Sequence, residues 1–217
     1  MKKPIQLLAL LPIFFSFPPE ETPLAEYEIS LENRYPNDFV NGVFKDNILL
    51  TLAYLRSKEL VHLREEKIDP KNVNWDQIRA PFSYQFNLDP GKTFAFHDDI
   101  LPKYKDLLVK HTNAHFNGQE GFKFSGALFG DGVCHLASLI NIVAQKAGLE
   151  VEVPTKHDFR EIPEIDKEYG VSIYSNPQTP GSNTRQNLYI TNNKGKPISF
   201  KFEYNGEKVK VVILEQN

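Results

Sequence analysis

Residues 129–153, FGDGVCHLASLINIVAQKAGLEVEV, decide how this chain is read. Leu136, Leu139, Ile140, Val143 and Ala147 recur at spacings of three and four, which puts them on one face of a helix from about Cys134 to Ala147. Gly148 stands where a helix closes in the left-handed region, a conformation without steric cost for glycine. Leu149, Val151 and Val153 then alternate with Glu150 and Glu152, so a half-buried strand is predicted directly behind the helix.

Working outward, the C-terminal third is rich in strand patterns, over residues 171–174, 187–191, 197–204 and 208–214. Asn205-Gly206 lies between the alternations Ile198/Phe200/Phe202/Tyr204 and Val209/Val211/Ile213, which predicts a hairpin turning at those two residues with Phe200 and Phe202 facing inward. On the N-terminal side, Ile48, Leu49, Leu52 and Leu55 form a buried helical stripe. Residues 64–92 are polar and rich in Asp, Asn and Pro and read as irregular connection. Pro90-Gly91 marks a turn before a short aromatic strand, and residues 101–116 are a second helix candidate. Helices first, a central helix opening at Cys134, and a C-terminal antiparallel sheet ending in a hairpin make the class α+β.

The 217 residues fit one domain, residues 26–217, behind a short leading segment. Lys2 and Lys3 precede an apolar run from Ile5 to Phe17, the layout of a signal or anchor segment, and residues 18–25 read as its linker. Pro12 interrupts the run and no clean small-residue cleavage site follows, so an N-terminal arm packed on a cytoplasmic domain is the competing reading. The expectation is an exported or membrane-tethered protein that meets the membrane only through this segment. A net charge of −3, with acids and bases interspersed, provides no electrostatic footprint for nucleic acid.

The chain's one cysteine excludes an internal disulfide framework and zinc sites built from several cysteines. Two readings of Cys134 stand side by side. A helix start offers free N–H groups and a positive dipole end, which favour a thiolate and can hold an oxyanion. Gly130 and Gly132 permit a tight turn and close approach of a substrate, and His157, with Asp158 beside it, just beyond the strand that follows the helix, is the candidate base. A nucleophile of this kind requires a thiol open to a cleft, a pKa below the ordinary ~8.5 and His157 within about 4 Å. The other reading is packing, since a free cysteine behaves as a small hydrophobe.

The block FGDGVCHLASLINIVAQKAGLEV…KHDF resembles the core of the VanW-like family, whose hallmark is a glycine-rich stretch ending in Gly-Val-Cys-Gln and opening a helix. DPGKTFAFHD, the helix around NGVFKDNILLTLAYL and the closing strands NLYITNNKGKPISFKFEYNGEKVKVVI are similar in order, so the resemblance runs from about residue 30 to 214. The chain departs from that pattern at Asp131, within the glycine triplet, at His135, in place of glutamine, and around Tyr169-Gly170. The resemblance implies work at the cell envelope, with a cell-wall peptide or peptidoglycan as partner. A weaker likeness to the transglutaminase-like and papain-like core implies a cysteine-dependent acyl transferase or amidase. Cys134 would be its nucleophile and His157, with Asp158, its base. Gly130, Asp131, Gly132 and His135 would line the substrate site. The rival is a non-catalytic binding module whose helix start holds a carboxylate or peptide end.

No cofactor and no metal are expected. His111 and His115, four apart, read as surface histidines, and His97-Asp98-Asp99 as a turn or cap. Phe94, Phe96, Phe122, Phe124 and Phe129 are candidates for the lining of an apolar cleft or, more simply, for core.

Overall fold

The computed structural model describes residues 21–56, 73–126 and 130–216. The leading run Ile5–Phe17 lies outside the described residues, as do residues 18–20 of the expected linker and Phe129.

The predicted hairpin is the centre of the larger sheet. Strands β7 (Ile198–Tyr204) and β8 (Lys208–Gln216) pair antiparallel with Phe202 opposite Val211 and Phe200 opposite Ile213. Both phenylalanines are fully buried, as the alternation requires. The turn is centred one residue later than expected. Asn205 N–H donates to the Lys208 carbonyl, so Gly206 and Glu207 are the two linking residues. The Asn205 side chain explains the shift, because its Oδ1 accepts from the N–H groups of Glu207 and Lys208 (2.9 and 2.8 Å).

The sheet is completed from both flanks by segments that read as linker or loop. β1 (Glu21–Ser30) pairs with β8, and β2 (Phe82–Leu88) with β7, giving the antiparallel order β1-β8-β7-β2. Residues 21–25 are therefore strand rather than linker. Pro23 sits at a register shift on the pairing with β8, where an irregularity accommodates a residue without an N–H. Likewise the stretch 64–92 is not wholly irregular. Its described part contains helix α2 (Trp75–Arg79), capped by Asn74, and β2, whose Phe82, Tyr84 and Phe86 follow the period of a strand. Phe86 stacks on Phe200 (5.2 Å) and meets Phe94 (5.4 Å), which joins this sheet to the second one.

That second sheet has the order β4-β3-β6-β5, with β3 (Thr93–Ala95), β4 (Leu108–Lys110), β5 (Glu150–Glu152) and β6 (Tyr189–Thr191). Here the expected helix over 101–116 gives way to a 3-10 turn at Pro102–Tyr104 and β4 parallel to β3. Tyr104 anchors the turn, stacked on Tyr189 at 4.4 Å, and this tertiary contact outweighs local helix propensity. The strand expected over 171–174 reduces to a single bridge between Val171 and Lys156.

Helix α1 (Asp38–Arg56) starts at Asn37, whose side chain accepts from the N–H groups of Phe39 and Val40. Its predicted stripe Ile48, Leu49, Leu52 and Leu55 is fully buried. Helix α3 (Val133–Lys146) begins one residue before Cys134 and ends with Gly148 at φ +68°, as expected. It packs against α1, β1, β8 and β5, so one hydrophobic core spans both sheets. A short helix α4 (Pro180–Asn183) precedes β6.

One ionic chain ties the 111–121 loop to the end of β3. His115 Nε2 meets Asp98 Oδ2 at 2.9 Å and its Nδ1 meets Glu120 Oε1 at 2.8 Å. Hydrogen bonds to Asp98 and Glu120 raise the His115 pKa from 6.5 to about 10. Burial raises the Asp98 pKa, but the bond with His115 opposes it, and the carboxyl is held well below the usual carboxylate range. A raised histidine pKa stabilises the fold fully below pH 6.5 and loses that contribution as pH rises through about 10. His115 is half exposed, so screening limits the effect to about 1 kcal/mol. His115→Gln should therefore lower stability at pH 6 by about that amount and flatten the decline between pH 6.5 and 10, read by urea unfolding across pH.

Candidate functional site

Three polar side chains of α3 organise the region around the cysteine. Cys134, Ser138 and Asn141 stand at i, i+4 and i+7, one stripe of the helix. Asn141 Nδ2 donates to the Tyr169 carbonyl (2.8 Å), and Ser138 Oγ accepts from the Val171 N–H (2.9 Å). The Cys134 thiol donates to the Ile173 carbonyl and its sulfur accepts from the Ile173 N–H, both at 3.4 Å. The stripe thus takes every second residue of the segment 169–173, which leaves a 3-10 turn at Tyr169, as a neighbouring strand would.

The other edge of that segment carries His157. His157 N–H donates to the Gly170 carbonyl (3.1 Å) and Ser172 N–H to the Thr155 carbonyl (3.0 Å). Residue 170 must be glycine here, since a Cβ would lie 2.4 Å from the His157 carbonyl oxygen. Further along, Arg34 clamps the 160–167 loop to the end of β1. Its buried guanidinium reaches the carbonyls of Ser30 (2.6 Å) and Pro163 (2.8 Å) and the Glu164 carboxylate (3.0 Å).

The glycine turn before α3 fits against α1. Gly130 and Gly132 have φ of +75° and +102°, and a Cβ on Gly132 would come within 2.8 Å of the Phe44 carbonyl oxygen. Buried Asn47 of α1 donates to the Asp131 carbonyl (2.9 Å), and Ser125 holds the Asp131 carboxylate. Val133 and His135 N–H groups bond back to the Gly130 and Gly132 carbonyls. Among the described residues the Cys134 N–H has no backbone acceptor, and it lies close to the residue's own sulfur.

A cleft of about 130 Å³ opens at this point, with Cys134, His135 and His157 in its lining. Gly130, Asp131 and Gly132 border it as expected, whereas Asp158 is exposed and outside it. Tyr35, Phe44, Phe159, Arg160, Glu161, Ile173 and Tyr174 complete it, and of these only Phe159, which closes KHDF, falls in a motif of the cysteine-histidine core. Asn41 fixes Tyr35 through both its backbone N–H and carbonyl. Tyr35 in turn brings its hydroxyl to His135 Nε2 (3.3 Å).

The electrostatics run against a thiolate. Burial pushes the Cys134 thiol up to about 11 and the Asp131 charge adds to this, opposed by the Ile173 backbone. No hydrogen bond joins its sulfur to His157 among the described residues. Both histidines are buried, at 4% and 6% exposure, and burial lowers both pKa values, that of His135 far below 6.5. They are therefore neutral near pH 7. Nδ1 of each is buried without a well-aligned partner, which for His135 costs about 1–3 kcal/mol, whereas the His157 ring has its own and the Arg160 backbone close enough to oppose the effect of burial.

Of the aromatic candidates, Phe94, Phe96 and Phe122 belong to the core, and Phe124 is exposed. Among the described residues, His97, Asp98 and Asp99 are the one further group spaced to hold a cation. His97 Nδ1 already accepts the Asp99 N–H (3.0 Å), and Asp99 Oδ2 accepts from Asn183 (2.8 Å), so the trio shapes the turn after β3. His111 and His115 lie in a loop, not on a helix. No described helix is long and apolar enough to cross a membrane. Comparison with protein-family models, curated proteins and solved structures returns no match.

The stripe makes a definite statement about Cys134. Cys134→Ser keeps both bonds to Ile173 and should leave stability within about 1 kcal/mol of the parent, whereas Cys134→Ala strands a buried N–H and should cost about 1–3 kcal/mol. Gly132→Ala should cost more than either, because it adds left-handed strain to a backbone collision. Chemical denaturation of the three variants would establish this order.

Proposed function

We propose that this chain is an envelope-associated binding module whose cleft at the start of α3 takes the carboxylate end of a peptide. The observation that carries the reading is that His135 and His157, each with a buried Nδ1 that meets no hydrogen-bond partner, both line one cleft. A buried polar atom without a partner is costly, and a ligand that supplies one relieves the cost. Neutral imidazoles donate without carrying charge. The anion is favoured by the dipole of a 14-residue helix and by the Arg160 guanidinium, which act against the Asp131 and Glu161 carboxylates of the same lining. A cleft of about 130 Å³ suits a carboxylate on a small terminal residue. The resemblance to the VanW-like family supports the envelope setting and a cell-wall peptide as partner. The apolar start of the chain supports export or tethering.

The second reading, a cysteine acyl transferase or amidase, is favoured by one observation: Cys134 and His157 line the same cleft. Against it stand the thiol's bonds to Ile173 and its raised pKa.

Calorimetry with acetyl-Phe-Ala as the free acid and as its amide separates these readings. The free acid should bind, and the amide at least about tenfold more weakly, a loss of ~1.4 kcal/mol. His135→Ala should abolish the difference, and Cys134→Ser should leave binding unchanged. Equal binding of acid and amide, or no binding of either, overturns the carboxylate reading. Iodoacetamide should modify Cys134 slowly at pH 7, with a rate rising toward pH 11. Fast modification that falls on His157→Ala would favour the acyl-transfer reading instead.

A further inference from the structure

Two large aromatic side chains stand in water at the mouth of this cleft. Phe159 is 73% exposed and Tyr174 is 42% exposed, and neither belongs to the hydrophobic core. Their positions follow from the strand-like pairing beneath them. Phe159 lies two residues beyond His157 on one arm, and Tyr174 one residue beyond Ile173 on the other. The Phe159 ring rests against the His157 ring, with centroids 4.2 Å apart. Both aromatics line the same cleft as the two histidines.

Exposed apolar rings carry a hydration cost, and a pair beside a polar cleft lowers that cost when a ligand covers them. Beyond the rings, an open groove along Arg160–Lys167 shares Tyr35, Arg160 and Glu161 with the cleft, so a chain leaving the cleft has a path across the surface. A terminal residue seated among the histidines leaves the mouth to the residue before it. We infer that Phe159 and Tyr174 are specificity-determining residues that grip the side chain of the penultimate residue and select an apolar one. This rests on the carboxylate reading of the cleft.

The test uses three peptides: acetyl-Phe-Ala and acetyl-Ser-Ala as free acids, and acetyl-Phe-Ala amide. Each is titrated into the parent protein and into Phe159→Ala and Tyr174→Ala, both at exposed positions. The parent should bind acetyl-Phe-Ala at least fivefold more tightly than acetyl-Ser-Ala. Phe159→Ala should erase that preference by weakening the phenylalanine peptide alone, and Tyr174→Ala should reduce it. If both free acids bind the parent equally while the amide does not bind, the clamp is wrong and the carboxylate reading stands. A preference that survives both substitutions also overturns the clamp. Binding of neither free acid overturns both.

Discussion

The site depends on a helix acting as the neighbour of a strand. Cys134, Ser138 and Asn141 offer short polar side chains at one-turn intervals, and the backbone of residues 169–173 meets them at alternate positions. Backbone groups buried without partners are costly, so a segment packed on a helix face is stable only if that face supplies donors and acceptors. The lone cysteine is one of them. Its thiol has the size and the weak hydrogen-bonding capacity that the position uses, and burial among these contacts is what raises its pKa.

Everything at the cleft is held from this seam. Residues 155–157 pair with the far edge of the 169–173 segment and so place His157, while Gly170 lets the two backbones approach. On the opposite side Gly132 lets α3 begin against the Phe44 backbone, which brings His135 edge-on to the Phe44 ring at 5.1 Å. The outcome is a cleft lined by two neutral imidazoles whose buried Nδ1 atoms meet no hydrogen-bond partner. A ligand that pairs such atoms relieves the cost of leaving them unbonded, which is the physical basis for proposing the cleft as a binding site. Catalysis by a cysteine would need the reverse arrangement, with the sulfur free and a base bonded to it.

Local sequence alone determined the elements in which side-chain period and backbone preference agree. The α3 stripe with its closing Gly148, the buried face of α1 and the β7–β8 alternation are of this kind, since burial on one face of an element imprints a period on the chain. It also marked Gly130, Asp131, Gly132, Cys134, His135, His157 and Asp158 as neighbours of one site, and all but Asp158 line one cleft. Tertiary structure decided the rest. β1 and β2 are flanks recruited to a hairpin far along the chain, and the 101–110 stretch took a turn and a parallel strand because Tyr104 stacks on Tyr189. Tyr35, Phe159, Arg160 and Tyr174 reach the cleft from loops, where no periodicity records a side chain's direction. The role of Cys134 is of the same kind. A glycine turn and a helix start are written locally, but whether the thiol meets a histidine or the Ile173 backbone depends on a segment 39 residues away, folded back onto the helix.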